Sequence, residues 1–288
     1  MAMSIIQSIL LGILQGIAEF LPISSSGHLA VAQNLFGLDD VPLLYDVMLH
    51  LATLLAVFIY FRKKICRLFK ILFKWIFRKP SFEDQDFDDI LSGTESRGHK
   101  TIIAVILSSI ITAVIGIFTS KLIPELSIKF TCAGFVVTAF FLVFSSFAAK
   151  RSAKLSQNQA PKDKKGISAL QALFIGFMQG IGTLPGISRS GSTIAGAQLC
   201  GVDRTAAGEY SFIVSIPAIL GAFVLEAKDL GEVGANVGAA QVAAGCVSAF
   251  VFGYLSLAFL MNLIKKGKLA WFACYLVPAG ILGMIFLK

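Results

Sequence analysis

The chain has 288 residues, of which 56% are hydrophobic and only 15% are charged, a balance far from that of a soluble domain. The net charge of +8 would suit nucleic-acid binding, but the basic residues cluster at the ends of apolar runs, where membrane topology explains them, so no nucleic-acid partner is expected. The five cysteines are scattered and lack CxxC spacing, which indicates inert packing residues. The composition predicts a single integral membrane domain over residues 1–288.

The first apolar segment, about 4–36, is interrupted near its middle by Pro22 and a run of serines. Because a span needs about 20 consecutive apolar residues, this interruption predicts a re-entrant helical hairpin rather than one transmembrane helix. A second segment, about 167–205, is interrupted in the same way and is predicted to be a second hairpin. The predicted fold is therefore all-α, with two hairpins and six complete transmembrane helices over about 43–61, 101–120, 130–149, 206–226, 238–260 and 269–287.

The connections between these segments set the orientation of the chain. Two polar loops, about 62–100 and 150–166, and the short stretch Lys265–Lys268 carry most of the basic residues, which predicts that all three are cytoplasmic. The connections 121–129 and 227–237 are short and nearly balanced in charge, as expected for the outer face.

This orientation makes specific statements about single positions. The N-terminus and Leu230 should lie outside the cell, whereas Lys74 and Lys162 should lie inside. The first hairpin then enters from the outside and the second from the cytoplasm, so that their tips approach each other from opposite faces. The acidic stretch within 80–100 is expected to be mobile and non-catalytic.

An internal repeat links the two hairpins. Eight residues of the first recur in the second, each 164 positions later and without a gap. The paired residues are Gly12, Gln15, Gly16, Ile17, Ile23, Ser24, Ser26 and Gly27 in the first copy and Gly176, Gln179, Gly180, Ile181, Ile187, Ser188, Ser190 and Gly191 in the second. Because three spans follow each hairpin, the copies, about 1–150 and about 167–288, should form an inverted-topology repeat whose substrate site lies where the broken helices meet.

The first break carries a polar block with candidate chemistry. Its candidate residues are Gln15, Glu19, Ser24, Ser25, Ser26, Gly27 and His28. Gln15 and Glu19 would share one helical face, and Pro22 would end that helix. The three serines would then open a half-helix whose unpaired N–H groups suit a phosphate. Small residues also serve simply for close helix packing, but an intramembrane glutamate with a nearby histidine favours a functional site.

The second break has the same design with a cation in it. Arg189 is its candidate catalytic residue, and the candidate substrate-binding residues are Ser188, Ser190, Gly191 and Thr193. Placed at a hairpin tip, Arg189 cannot easily reach the membrane surface and needs an anionic partner. A phosphate would suit its planar fork of donors. The alternative partner is Glu19, in a structural ion pair.

A third polar pair lies near the outer end of the span 43–61. Asp46 and His50 are four residues apart and would share a helical face. They could orient one another as a proton-handling pair that surrounds the residues of the site. Equally, they could form a satisfied polar contact beside it.

These residues resemble the undecaprenyl-diphosphate phosphatases of the bacterial envelope, the bacitracin-resistance type. Gln15 to His28 is similar to the family's (Glu/Gln)-x-x-x-Glu and Pro-x-Ser-Ser-(Ser/Thr)-Gly-His block, and Pro185 to Thr193 is similar to its Pro-Gly-x-Ser-Arg-Ser-Gly-x-Thr block. The stretches Asp46 to Thr53 and Ala206 to Phe212 also sit where the family has similar ones, so the resemblance covers essentially the whole chain.

The resemblance implies an activity, a cofactor and a location. The activity is hydrolysis of the terminal phosphate of undecaprenyl diphosphate, which recycles the lipid carrier for peptidoglycan and cell-wall synthesis. The implied cofactor is a divalent cation, Mg²⁺ or Ca²⁺, and the implied location is the bacterial cell membrane with a site open to the outer side; a homodimer is a further expectation. Many members have Glu where this chain has Gln15, so Glu19 would be the carboxylate that holds the metal.

The expected mechanism assigns one role to each group. Arg189 and the serine-rich helix start bind the diphosphate, Glu19 with Gln15 holds the cation or activates the nucleophile, and Ser25 attacks the terminal phosphorus. His28 is the expected general acid or base, and is also a credible nucleophile. A secondary transporter or flippase for phosphate-bearing or lipid-linked anions would share this architecture and is the alternative function.

Overall fold

The structure is a computed structural model that describes residues 3–38, 41–77, 98–122, 127–156, 166–227 and 237–287. Across these ranges the chain forms eleven α-helices and one 3-10 helix, and no strand, which confirms the all-α prediction. The helices are α1 Ile5–Phe20, α2 Ser25–Leu35, α3 Leu43–Tyr60, α4 Arg62–Phe77, α5 Gly98–Leu122, α6 Ile128–Ser156, α7 Ala169–Ile181, α8 Arg189–Leu199, α9 Arg204–Glu226, α10 Ala239–Lys265, the 3-10 helix Leu269–Phe272 and α11 Ala273–Phe286.

Six stretches of helix in the described ranges are long and apolar enough to cross a membrane. They are Leu43–Tyr60, Gly98–Thr119, Ile128–Arg151, Arg204–Leu225, Ala239–Lys265 and Leu269–Phe286. Each overlaps one of the six spans expected from the sequence, so that prediction is confirmed. The helices α1 and α7 are also apolar but shorter, with 16 and 13 residues.

The connection after α3 differs from the expected polar loop. Its first 16 residues form α4, which begins directly after Phe61. Its apolar residues recur at helical spacing, and buried Ile71 packs with Ile102 of α5. Six Lys or Arg residues among its 16 interrupt the apolar period, so the sequence pattern predicts a polar loop there. The helix α6 likewise extends into the expected loop 150–166, and the acidic positions 83–89, Leu230 and Lys162 lie outside the described residues.

The sequence repeat is reproduced in local structure. The helix α1 begins with a capping box, in which Ser4 Oγ accepts from the backbone N–H of Gln7 at 3.2 Å and Gln7 Oε1 accepts from the backbone N–H of Ser4 at 2.8 Å. The helix α7 begins in the same way with Ser168 and Gln171, at 3.3 Å and 2.8 Å. These pairs are again 164 positions apart, so the two copies share their start as well as their break.

Glycines bring each broken helix close to a long helix from the other half of the chain. A Cβ atom on Gly16 of α1 would lie 2.7 Å from the carbonyl oxygen of Ala249 on α10. A Cβ atom on Gly176 of α7 would lie 2.6 Å from the carbonyl oxygen of Ser108 on α5. Real side chains would not fit at either place, so the small residues of the repeat are required for packing.

The core around these helices contains two buried tyrosines with hydroxyl partners. Tyr45 of α3 bonds Ser8 Oγ at 2.7 Å, and Tyr210 of α9 bonds Ser108 Oγ at 2.8 Å. Each bond gives a buried tyrosine hydroxyl a hydrogen-bond partner. The largest apolar cluster includes Phe20 at the end of α1, whose ring centroid lies 5.6 Å from that of Phe212 on α9. The end of α1 is thereby fixed against the second half of the chain.

Candidate active site

The buried carboxylate of Glu19 is the centre of the candidate site. Its side chain is 3% exposed. Four side chains contact it: one from its own helix and three from α2, α3 and α8. The Oε2 atom accepts from Ser25 Oγ at 2.7 Å and from Gln15 Nε2 at 3.0 Å, and lies 3.3 Å from His50 Nε2. The Oε1 atom forms an ion pair with Arg189.

The turn between α1 and α2 brings Ser25 back onto Glu19. The helix α1 ends at Phe20, and the chain turns through Leu21, Pro22 and Ile23 before α2 begins at Ser25. Within that turn Ser24 has a φ of 73°, the one positive φ of a non-glycine residue in the described ranges. Such a conformation is strained in residues with a side chain, and strain of this kind is typical of functional sites.

Ser24 caps the N-terminus of α2. Its Oγ accepts from the backbone N–H of Gly27 at 3.3 Å. Ser188 caps α8 in the same way, accepting from the backbone N–H of Gly191 at 3.1 Å. The caps occupy these two serine hydroxyls, whereas the hydroxyl of Ser25 points to the carboxylate of Glu19.

The two broken helices meet at their tips. Ser190 Oγ donates to the carbonyl oxygen of Phe20 at 3.1 Å, which ties the start of α8 to the end of α1. Gly186, with a φ of 84°, lies against the backbone of Thr131. A Cβ atom on Gly27 would lie 3.1 Å from the Cα atom of Gly186. This close approach of the two tips brings Arg189 beside Glu19.

The guanidinium of Arg189 pairs with Glu19. This is the structural ion pair that the sequence left as the alternative to a phosphate partner. Within the described part of the chain, the Nη1 atom of Arg189 and the Oε1 atom of Gln15 are both buried, and both lack a hydrogen-bond partner. A buried donor and a buried acceptor without partners cost free energy. They leave Arg189 able to donate to, and Gln15 able to accept from, a further group at this site.

His28 lies beside Tyr275 of α11, a partner that the sequence did not suggest. Its Nδ1 lies 2.8 Å from the carbonyl oxygen of Ser24, and its Nε2 lies 2.7 Å from Tyr275 Oη. Its ring stacks on Phe135 with centroids 4.7 Å apart. Both ring nitrogens thus have partners outside the Glu19 group. Phe135 and Tyr275 stand in apolar runs without any motif, so only the packing of helices reveals them.

Asp46 and His50 differ from the pair expected. His50 Nδ1 lies 2.8 Å from the backbone oxygen of Asp46, not from its carboxylate, and Asp46 Oδ1 accepts from Gln33 Nε2 at 2.8 Å. The two side chains therefore have separate partners. His50 instead lies next to Glu19 and is nearer to the centre of the site than the sequence indicated.

The remaining candidates make local contacts. Ser26 is exposed, with its Oγ 3.5 Å from that of Ser24, and the hydroxyls of Ser188 and Ser190 lie 3.2 Å apart. Thr193 Oγ1 donates to the carbonyl oxygen of Arg189 at 2.6 Å. These hydroxyls shape the tips around the Glu19 group.

The expected divalent cation can be compared with the donors present. Among the described residues, no group of three or more His, Cys, Asp or Glu side chains is arranged to hold a metal. Glu19 and the unpartnered Oε1 of Gln15 are nevertheless hard oxygen donors within one turn of α1. Mg²⁺ and Ca²⁺ prefer oxygen, and Mg²⁺ is often held by one carboxylate together with substrate phosphates. The donors fit such a partial shell.

The fold and the site define a polytopic helical membrane protein whose buried polar centre joins a hydroxyl, a carboxylate and a guanidinium. Residues 8–282 match the family model described as Bacitracin resistance protein BacA. The chain is 45% identical over 279 residues to the undecaprenyl-diphosphatase of Treponema denticola, covering 97% of this chain and 96% of that one. It is 36% identical to those of Borrelia recurrentis and Methanobrevibacter smithii, with coverage of at least 95% of each chain. The chain belongs to the bacitracin resistance protein BacA family.

Proposed function

We propose that the chain hydrolyses undecaprenyl diphosphate to undecaprenyl phosphate and inorganic phosphate, and so recycles the lipid carrier for cell-wall synthesis. The observation that carries the proposal is the 2.7 Å hydrogen bond from Ser25 Oγ to Glu19 Oε2 beside the ion-paired Arg189. A hydroxyl bonded to a buried base is the arrangement of an activated nucleophile. The names of the relatives, undecaprenyl-diphosphatase, supply the substrate.

The first step transfers the phosphoryl group to the chain. Ser25 Oγ attacks the terminal phosphorus, its proton passes to Glu19 Oε2, and the bond from that phosphorus to the bridging oxygen breaks to release undecaprenyl phosphate. Arg189 supports this step when it turns its fork of donors from Glu19 to the phosphate, where charge develops. The same movement frees Glu19 Oε1 from its ion pair, while Oε2 stays bonded to Ser25.

The second step regenerates the hydroxyl. Water attacks the phosphoserine, the P–Oγ bond breaks, and Ser25 regains a proton as inorganic phosphate leaves. Glu19, protonated in the first step, returns that proton to Ser25 Oγ, and the proton of the water leaves with the phosphate or passes to His28 as general base. Direct attack on the substrate by His28 or by water remains the alternative to the serine route.

The proposal extends to the divalent cation. Glu19 and Gln15 Oε1 would hold it together with oxygens of the diphosphate, once Arg189 has moved to the phosphate. When bound, the cation supplies positive charge that neutralises the phosphate oxygens. Gln15 then contributes a neutral donor, and Glu19 the negative charge.

We also propose the finer architecture. The segments α1–α2 and α7–α8 would be re-entrant hairpins of opposite orientation in a bacterial cell membrane, with the site open to the outer side. Three observations support this: the repeat at constant offset, the matching caps Ser24 and Ser188, and the packing of each broken helix on a span of the other half. Charge in the loops supports the direction.

A transporter or flippase of phosphate-bearing anions is not favoured, since the relatives are named as diphosphatases. Phosphate release from undecaprenyl diphosphate by the purified chain in detergent, with a divalent cation, tests the two against each other. An enzyme releases inorganic phosphate without a membrane gradient, and Glu19→Gln should lose that release. An inactive wild-type chain that still transports such lipids in vesicles would overturn the proposal.

A further inference from the structure

The helix α4 has three faces that follow from its 3.6-residue period. One face turns to the protein, with Ile65 and Ile71 buried and Lys64 Nζ 2.6 Å from Glu209 Oε2 on α9. A second face is apolar and is formed by Phe69, Phe73, Ile76 and Phe77. These four side chains are 61%, 64%, 63% and 68% exposed. A third face is basic at spacings of four, three and four, with Lys63, Arg67, Lys70 and Lys74.

The position of α4 indicates what covers the exposed apolar face. The helix starts two residues after Tyr60, the last residue of an apolar span, so it begins at the edge of the hydrocarbon. Its 16 residues include six Lys or Arg and no Asp or Glu. An aromatic face next to a basic face is the pattern of helices that lie in the membrane surface, with the aromatic rings among the acyl chains and the cations at the headgroups.

We propose that α4 binds anionic phospholipid headgroups of the membrane in which the chain sits. The basic face supplies charge complementary to phosphodiesters, and the aromatic face holds the helix at headgroup depth. The ion pair between Lys64 and Glu209 then fastens this lipid-binding helix to the start of α9.

A single tryptophan on α4 can measure this preference. The chain has two tryptophans, so Trp75→Phe and Trp271→Phe together with Phe73→Trp leave one reporter at the centre of the exposed face. The protein is reconstituted into mixed vesicles of phosphatidylcholine and phosphatidylglycerol, with brominated acyl chains on one lipid at a time. Bromine quenches the reporter only on contact.

We expect brominated phosphatidylglycerol to quench the reporter about twofold more than brominated phosphatidylcholine at equal mole fraction. Lys63→Gln, Lys70→Gln and Lys74→Gln together should abolish the difference. The matched control, Lys265→Gln, Lys266→Gln and Lys268→Gln, removes the same charge at the end of α10 and should preserve it. Equal quenching by both lipids in the reporter chain would overturn the proposal, and so would no quenching by either, as expected if a second copy of the chain covered the face.

A second inference concerns Tyr275 and follows from the two partners of His28. The Nδ1 atom faces the carbonyl oxygen of Ser24, which can only accept, so Nδ1 carries a proton whether the ring is neutral or cationic. The nitrogen that gains or loses a proton is therefore Nε2. Its partner is the hydroxyl of Tyr275, which donates to a bare Nε2 and accepts from a protonated one.

The geometry assigns Tyr275 as a positioning residue for His28. Its hydroxyl holds Nε2 at 2.7 Å, and its ring stacks on the imidazole with centroids 5.7 Å apart. This inference rests on the proposed function for its kinetic part. Tyr275 would fix the orientation of the ring with which His28 takes part in proton transfer, without itself touching the phosphate.

The variant Tyr275→Phe keeps the ring and removes the hydroxyl. We expect kcat for phosphate release to fall about tenfold, with KM changed less than about twofold, and Tyr254→Phe on α10 to be neutral. The imidazole ¹⁵N spectrum of the three histidines, assigned with His50→Gln and His99→Gln, should show a changed Nε2 signal for His28 in Tyr275→Phe only. Unchanged kcat and an unchanged spectrum would each overturn the assignment. A wild-type chain without phosphatase activity would refute the proposed function, while the spectrum would still test the contact.

Discussion

Arg189 has one anionic partner in the structure and would need to exchange it for another during the reaction. Its Nη2 pairs with Glu19, while Nη1 is buried and has no hydrogen-bond partner in the described part of the chain. A phosphate offers acceptors to both nitrogens, so the guanidinium gains a bond when it turns to the substrate. The planar fork is therefore more important than the charge alone.

Arg189→Lys keeps the charge and removes the fork, so we expect turnover of undecaprenyl diphosphate to fall by roughly a hundredfold, the scale of one lost transition-state donor. The measurement is steady-state phosphate release by purified protein. Arg204→Lys, at the start of α9 and outside the site, is the control and should be near normal. Near-normal turnover in Arg189→Lys would mean that the arginine has a structural role only.

Ser24 combines a cap with a strained backbone. Ser24→Ala loses the bond from the N–H of Gly27 and should cost about 1 kcal/mol of stability, whereas Ser24→Gly loses the same bond but adopts the φ of 73° without strain. In detergent, Ser24→Ala should therefore unfold at a lower temperature than Ser24→Gly. Ser188 is the matched site, since it makes the same cap at a φ of −74°. An equal difference in unfolding temperature between the Ala and Gly variants at Ser24 and at Ser188 would contradict the role of strain.

The residues that could be predicted from the sequence are those whose neighbours are close in the chain. Glu19 and Ser25 lie on either side of one turn, and the repeat pairs Ser25 with Arg189, so the motifs place all three at the tips. The contact of Tyr275 with His28 joins residues 247 positions apart. Nothing in the local pattern carries that information, because it depends on how α11 packs.

The helix tips are the elements on which the site depends, and glycine permits their close approach. Gly186 and Gly201 both have a positive φ, of 84° and 79°. A Cβ on Gly186 would collide with the backbone of Thr131, whereas a Cβ on Gly201 would meet nothing within 4 Å. The two positions therefore separate the cost of backbone strain from the cost of contact between tips.

Gly201→Ala should lower stability by about 1 kcal/mol through strain alone, and Gly186→Ala by clearly more, because α6 and the tip must also move apart. Turnover should fall only in Gly186→Ala, since the shift displaces Arg189 from the tip at which the phosphate would bind. Thermal unfolding and phosphate release measure the two effects. Equal unfolding temperatures for the two variants would refute the tight contact at Gly186.

The elements themselves were predictable where apolar length decides them. Six apolar runs of span length gave six apolar helices, because a run of that length has only one structure in a bilayer. The helix α4 was not predicted, since six of its 16 residues are Lys or Arg and interrupt its ten apolar residues. It packs on α5 through Ile71 and Ile102, a tertiary contact that neither hydropathy nor charge counts measure.

The whole molecule has an orientation that loop charge predicts. Single cysteines at 162 and 74 should be labelled only from the inside, and a cysteine at 230 only from the outside, when a membrane-impermeant thiol reagent is applied to each face of intact and inverted membranes. The five native cysteines are first replaced. Labelling of position 162 from outside would overturn the orientation and the placement of both hairpins.

Ser25→Ala tests the central claim most directly, that a hydroxyl held by Glu19 attacks the terminal phosphorus. Purified Ser25→Ala should bind undecaprenyl diphosphate and unfold like the wild type but release no phosphate, because it lacks the nucleophile. Ser26→Ala removes the neighbouring exposed hydroxyl and should retain activity. Phosphate release by Ser25→Ala at more than about a tenth of the wild-type rate would contradict the account and move the attack to His28 or to water.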